Sequence, residues 1–450
     1  MQNTEITRTL AAWAATLPHD AIPEAVRHEG VRSFVNWLGC AVGGATHETV
    51  DRALAAALPF SGPARASILG RRERMDELHA ALINGISSHV LDYDDTHLKT
   101  IIHPAGPVAS AILAVAQERE ISGRELITAF IIGIEVECRI GNAIYPDHYD
   151  RGWHITGTTG VFGAAAATGW LLTLSPREMS WAFGLAASQA SGLREMFGTM
   201  TKSFHPGHAA KNGAMAAFLA KAGFDSSERA IEAPRGFANV LSTRQDYSEI
   251  TEDLGTRWES ALNSYKPFAC GIVIHPAIDA CCRIRTELGA DVERIRSVEL
   301  IAHPLVLELT GKTAPKTGLE SKFSVYHAAA HALLRGHGSP AAFTDEAVRD
   351  PAIVALRGKV NVTVDKDMHE ASVKVTVMLE DGRRVERFIE RAIGSMERPL
   401  TDAELGAKFY DQSRPVLGDA ATRRLIDMAW SIESLPGLAP LAQAATPQSD

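Results

Sequence analysis

Apolar positions recur at helical spacing through the first part of the chain. Alanine and leucine lead this pattern over 25–41, 75–91 and 123–141, which predicts long helices there. Small residues dominate 157–169 and 209–222. Glycine and alanine at that density let helices approach closely, so a tight helical core is expected. The period changes after about Tyr265. Val298, Leu300 and Ala302 alternate with other residues, as do Val360, Val362 and Val364, and then Val373, Val375, Val377 and Leu379. Asp381-Gly382 follows before Val385 and signals a hairpin. Helical patterns lie between these strands, notably over 324–334. Thr401 and Glu404 form a capping box ahead of Leu405 and Phe409, and 421–431 continues the helical pattern. The fold class expected is mainly α. A large all-helical domain is made of 1–267 and 396–450, and a smaller α+β domain of 268–395 is inserted before the C-terminal helices. The tail from Leu435, rich in Pro, Ala and Gln, reads as mobile.

The chain of 450 residues is long enough for two domains and buries enough apolar surface to fold without disulfides or a metal. Hydrophobic residues make up 46% and charged residues 22%, which excludes a mainly disordered, collagen-like or coiled-coil chain. A net charge of −9 gives no broad footprint for nucleic acid. If the substrate is an anion, the positive charge that holds it must be local. Cys40, Cys138, Cys270, Cys281 and Cys282 are few and scattered, without a CxxC, and fit a reducing compartment. The N-terminus lacks a secretory pattern, and apolar stretches such as 109–116 and 127–134 are far shorter than a membrane span. A cytoplasmic protein that binds no membrane is expected.

The densest polar cluster is His89-Val-Leu-Asp92-Tyr-Asp94-Asp95-Thr96-His97, followed by His103-Pro104. Three readings stand: a solvated helix end, a general base in which Asp92 orients His103, and a hard-cation site. There is no HExxH. The stretch Gly152 to Gly160 holds His154 and a helix start whose free N–H groups would attract a carboxylate. A dinucleotide fingerprint fails there, because no βαβ unit surrounds the glycines. A third cluster, Thr201 to Lys211, places Lys202 in a turn ahead of a small-residue helix; a lone lysine is usually just solvated. Two more polar sites stand at the change of domain. One is Lys266-Pro267-Phe268 leading to His275-Pro276, and the other is Lys322-Phe323-Ser324-Val325-Tyr326. No GxSxG elbow, P-loop or kinase signature is present, so acyl-enzyme chemistry and nucleotide hydrolysis lack support. The inventory of histidines, lysines, a tyrosine and buried aspartates suits proton abstraction and delivery at carbon next to a carboxylate.

The order of these motifs resembles the MmgE/PrpD family. LDYDDTH with its following HP, then GWHITGTTG, TKSFHPGHAAKNG, KPFACGIVIHPAIDA and TGLESKFSVYHAAA cover about 81–330, and PLTDAELGAKF extends the likeness. The resemblance implies a homodimer with the active site in a cleft beneath an α+β lid, acting on a small di- or tricarboxylate without cofactor or metal. Members include 2-methylcitrate dehydratases, cis-aconitate decarboxylases and iminodisuccinate epimerases. The implied catalytic residues are His103, oriented by Asp92, with Lys202 and Tyr326. Thr96, His154 and His275 are the implied substrate-binding residues. The leading expectation is a cofactor-independent lyase, a dehydratase of a 2-methylcitrate- or citrate-type acid. Epimerisation of a dicarboxylate such as iminodisuccinate and cis-aconitate-type decarboxylation are the alternatives, and a catalytically inactive binding protein is a remote one. All three reactions pass through a carbanion that fixed positive groups must neutralise.

Overall fold

The computed structural model describes residues 5–447. The expected helices form, and the fold is mainly α. They are α1 (Glu24–Gly44), α2 (Glu77–Val90), α3 (Ala105–Ala116), α4 (Gly123–Ile144), α5 (Ile155–Leu171) and α6 (Met200–Lys221). Helices α3 and α5 are buried along nearly their whole length, so the small residues read from the sequence sit at helix–helix contacts. A close approach that bears on the site is between α2 and α6. A Cβ placed on Gly85 would lie 2.5 Å from the Gly207 Cα, and one on Gly207 would lie 2.3 Å from the Leu82 carbonyl oxygen. Only two facing glycines permit this crossing, and it brings the last turn of α2 against the first turn of α6.

The second core gathers around a four-stranded sheet. Two short strands precede it, β1 (Asp95–His97) and β2 (Asn263–Tyr265), which pair antiparallel with Asp95 opposite Tyr265. Next come α7 (His275–Leu288), β3 (Ile295–Ala302), α8 (Val325–Arg335), β4 (Val360–Val364), β5 (Val373–Leu379) and β6 (Arg384–Ile389). The sheet order is β4-β3-β5-β6. β4 runs parallel to β3, whereas β5 is antiparallel to both β3 and β6. The alternating Val298, Leu300, Ala302, Val373, Val375, Val377 and Leu379 all point inward, where α7 and α8 cover them. Each such valine or leucine side chain contributes about 1.5–3 kcal/mol on burial.

The chain then returns to the first core through α9 (Asp402–Leu417), capped by Thr401 and Glu404 as the sequence suggests, and α10 (Asp419–Trp430). Both pack on α1. The tail departs from expectation. Leu438 and Leu441 are buried in the first core, a short helix spans Ala439–Ala444, and the Ala445 carbonyl accepts from the Gly70 amide. Two leucines per helical turn supply enough apolar surface to anchor the segment despite its Pro and Gln. Residues 448–450 lie outside the described part. No helix among the described residues is long and apolar enough to cross a membrane.

Candidate active site

A cavity of about 40 Å³ lies where the two cores meet. Asp92, His103, His154 and Lys202 face it from the helical side, together with Tyr149 and Ile101; Ile272, Val273, Leu309 and Phe323 face it from the other. The sequence expectation thus brings four of its seven residues to one place.

Asp92 is placed by the end of α2. The helix stops at Val90, and Asp92 turns the chain away with φ of 50°, a left-handed conformation that aspartate tolerates better than most residues. Its Oδ1 accepts from Lys202 Nζ at 3.0 Å and from Lys266 Nζ at 2.6 Å. Burial alone would raise the Asp92 pKa, but the two ammonium groups outweigh it and hold the carboxyl well below its usual range. Asp92 therefore pairs with lysines, which corrects the expectation that it orients His103.

Lys202 is in the first turn of α6, not in a turn ahead of it. Thr199 caps the helix by accepting from the Thr201 amide, and Pro206 is carried inside the helix rather than marking its start. A cation at a helix N-terminus is opposed by the dipole, and Asp92 compensates. Lys202 Nζ also lies 2.9 Å from His89 Nε2, a contact that the Gly85–Gly207 crossing makes possible. Burial lowers the Lys202 pKa, and Asp92 only partly offsets it. Lys266 is shifted the other way: Asp92 and Asp94 overcome burial and raise it.

His103 is oriented by its own neighbourhood. Its Nδ1 is 2.7 Å from the Asp95 carbonyl oxygen and 3.3 Å from Thr96 Oγ1. A carbonyl only accepts, so Nδ1 carries the hydrogen and Nε2 is left bare. The nearest carboxylate is that of Asp94, at 3.7 Å. Burial keeps the His103 pKa well below its ordinary value, against the pull of Asp94. His154 precedes α5 and contacts His205 Nδ1 through its own Nδ1 at 2.7 Å. Burial, and then His205, lower its pKa as well. His89, His103 and His154 offer ring nitrogens within 4.8 Å of one another, a spacing compatible with a transition metal. The two adjacent ammonium groups favour an anion there instead.

Three implied residues are not on the cavity wall. Thr96 lies in β1 and reaches the cavity only through His103, because its strand is fixed by pairing with Ser264. His275 opens α7 with Nε2 3.4 Å from the Cys270 carbonyl oxygen and its ring against Phe268, so it serves the second core. Tyr326 opens α8 and packs half-buried against that same core. Conversely, the sequence reading assigns no role to Lys266 or His89. Lys266 meets Asp92 because β1 pairs with β2, one residue before it, a contact between positions 174 apart. Its only signal in the sequence is a lysine fixed beside a proline.

Comparison with known proteins accounts for most of the chain. The MmgE/PrpD N-terminal domain matches 8–250, and the MmgE/PrpD C-terminal domain matches 268–434. A cis-aconitate decarboxylase of Aspergillus terreus is 25% identical over 97% of this chain and 95% of its own length. The human cis-aconitate decarboxylase is 26% identical over 96% and 92%, and the mouse one 24% over 96% and 91%. These likenesses make the protein an enzyme of the lyase type. With both domain matches in sequence order and a site assembled between them, the chain belongs to the MmgE/PrpD family.

Proposed function

We propose that the protein decarboxylates a small unsaturated polycarboxylate of the cis-aconitate type. The observation that carries this reading is the pair of buried ammonium groups, Lys202 and Lys266, on one oxygen of Asp92. Two cations against one carboxylate leave this trio net positive beside the cavity, which suits an anion with several carboxylates. The full-length likeness to cis-aconitate decarboxylases selects the reaction.

In the step proposed, the bond from carbon to one carboxylate breaks and carbon dioxide leaves. The electron pair moves through the adjacent double bond to the carbon beside a second carboxylate, which takes up a proton. Lys202 supplies that proton, since its lowered pKa makes it the readier acid. Lys266, with its raised pKa, remains charged and neutralises the dianion. Ile101, Ile272, Val273 and Leu309 form an apolar wall that strips water from the departing carboxylate. Thr96 holds the His103 ring, and His154 binds a substrate carboxylate. His275 and Tyr326 have no part in the step.

Dehydration of a citrate-type acid is the second reading, and the bare Nε2 of His103 favours it. A base at that position takes the proton next to a carboxylate, after which hydroxide leaves. We extend the reading to a homodimer with 268–395 as its lid, and to a cytoplasmic setting in which the free cysteines stay reduced. No cofactor is assigned, because the substrate's own carboxylate takes up the electron pair.

Proton NMR in D₂O tests the reading with cis-aconitate, 2-methylcitrate, citrate and iminodisuccinate supplied separately. Carbon dioxide loss from cis-aconitate, with deuterium at the carbon that gains the proton, is expected. An inert cis-aconitate beside alkene formation from 2-methylcitrate would overturn decarboxylation in favour of dehydration.

A further inference from the structure

The inner cavity, at about 40 Å³, has room for roughly three waters, which is tight for a polycarboxylate. Entry of such a substrate calls for this lining to widen. Phe197, Leu309 and Phe323 line both this cavity and a larger outer recess of about 680 Å³. The wall between the two spaces is thin and aromatic. Phe197 and Phe323 stack across it with centroids 5.6 Å apart, and Lys202 Nζ lies beneath both rings, at 5.4 and 5.6 Å. The segment that carries Phe197 is bracketed by Gly192 and Gly198, with φ of 130° and 86°, where other residues are strained. A latch crosses the same boundary. Arg194 Nη2 is 2.8 Å from Glu308 Oε1, while its Nη1 donates to the Tyr149 carbonyl at 2.9 Å.

The charge of the outer recess is the second observation. Arg151, Arg194 and Lys312 line it together with Glu195 and Glu308. Glu308 is already neutralised by Arg194. Arg151 and Lys312 are exposed and form no ion pair among the described residues. With Glu195 counted against Arg151 and Lys312, the recess keeps one net positive charge on a chain of net charge −9, directly outside the cation-bearing cavity.

We propose that the recess is a docking antechamber for a polycarboxylate. Arg151 and Lys312 capture the anion, and the Phe197–Phe323 stack is the gate through which it passes to Lys202. The inference rests on the carboxylate reading above. A carboxylate reaching Lys202 competes for the ammonium that sits under the two rings, which couples arrival of substrate to movement of the gate.

The double variant Arg151→Gln/Lys312→Gln tests it, with cis-aconitate turnover measured at several salt concentrations. We expect kcat/KM to fall about 5- to 20-fold at low ionic strength with kcat within about twofold of wild type, the gap closing toward 0.5 M salt, on the order expected for lost steering. The charge-preserving Arg151→Lys/Lys312→Arg variant should restore kcat/KM, and it separates charge from any damage to folding. An unchanged kcat/KM, a loss that persists at high salt, or a loss confined to kcat overturns the antechamber. A wild-type enzyme inert toward all four polycarboxylates instead overturns the functional reading, and the antechamber with it.

Discussion

Lys408, in helix α9, donates from Nζ to the Tyr93 carbonyl at 2.6 Å. It is one of three buried lysines that act on successive residues of one loop. Lys322 donates to the Leu91 carbonyl at 2.7 Å, and Lys266 to the Asp92 carbonyl at 3.3 Å. The three come from α9, the second core and the position just after β2. A residue at positive φ persists only where its surroundings over-determine it, and Asp92 is held in this way from three directions. The loop's geometry is thus a tertiary property, set by parts of the chain far from it in sequence.

Lys408 does not line the cavity, so its replacement probes positioning alone. Lys408→Met leaves Asn36 Oδ1 without its donor and leaves the Tyr93 carbonyl to the weaker Cys40 Sγ donor at 3.4 Å. Each buried acceptor so stranded costs about 1–3 kcal/mol. We expect a lower midpoint in urea, with kcat reduced at least about tenfold through a displaced Asp92. Lys408→Arg should recover part of the stability. A variant that is destabilised yet turns over at the wild-type kcat would show that the clamp does not position the site.

Asp92→Asn removes the one carboxylate that, among the described residues, pairs with both Lys202 and Lys266. Two buried ammonium groups then face each other with Asp94, which contacts neither, left to offset them, at a cost of about 3–5 kcal/mol. Turnover should fall by two orders of magnitude or more, on the scale of losing a preorganised charge. A pH signature accompanies the loss. Asp92 raises the Lys202 pKa, so its removal lowers that pKa further, and the basic limb of kcat/KM moves to lower pH. A basic limb that stays in place in the residual activity would show that Lys202 is not the acid.

The helices and the sheet were legible because their signals are local. Periods of 3.6 and 2 depend on neighbouring residues, and Val298 to Ala302 or Val373 to Leu379 needed nothing distant to declare their inward face. The site was legible only in part. Asp92, His103, His154 and Lys202 stood out as clustered polar residues and as family motifs. Lys266 stood in such a motif without a role, since its meaning is a pairing with Asp92 across the β1–β2 ladder. Thr96, His275 and Tyr326 were carried over by motif, and motif position does not reveal which way a side chain points. The tail misled because composition suggested mobility, while two leucines sufficed to anchor it.

Gly207→Ala tests how the glycine crossing sets the site. The added Cβ meets the Leu82 carbonyl oxygen at 2.3 Å, and backbone cannot swing aside as a flexible side chain would. Overpacking of this kind costs about 1–3 kcal/mol and drives α2 and α6 apart. Separation of the helices withdraws Lys202 from His89 and Asp92, so kcat/KM should fall together with thermal stability. Ala209→Gly, two residues on in the same helix, removes a methyl without forcing the helices apart and serves as the control. A Gly207→Ala enzyme with wild-type kcat/KM would mean that the crossing contributes packing only.

Asp95 gives the clearest dependence of stability on pH. It is fully buried, and burial followed by the charge of Asp94 pushes its pKa up to about 7 from 3.8. Asn263, Ser33 and the Ala105 amide donate to its Oδ2 but do not offset this. Between these two values the folded chain binds the proton and the unfolded chain has released it. Stability therefore falls as pH rises through this window, by up to about 4 kcal/mol from this one group. Below pH 3.8 and above about 7 the contribution is flat, because both states are then protonated or both ionised. Asp95→Asn has no proton to lose and its side-chain oxygen still accepts from Asn263. Urea unfolding of both proteins at pH 5 and pH 8 isolates the effect: the variant should gain stability relative to wild type at pH 8. A difference between the two proteins that is the same at both pH values would mean that Asp95 titrates alike in the folded and unfolded chain.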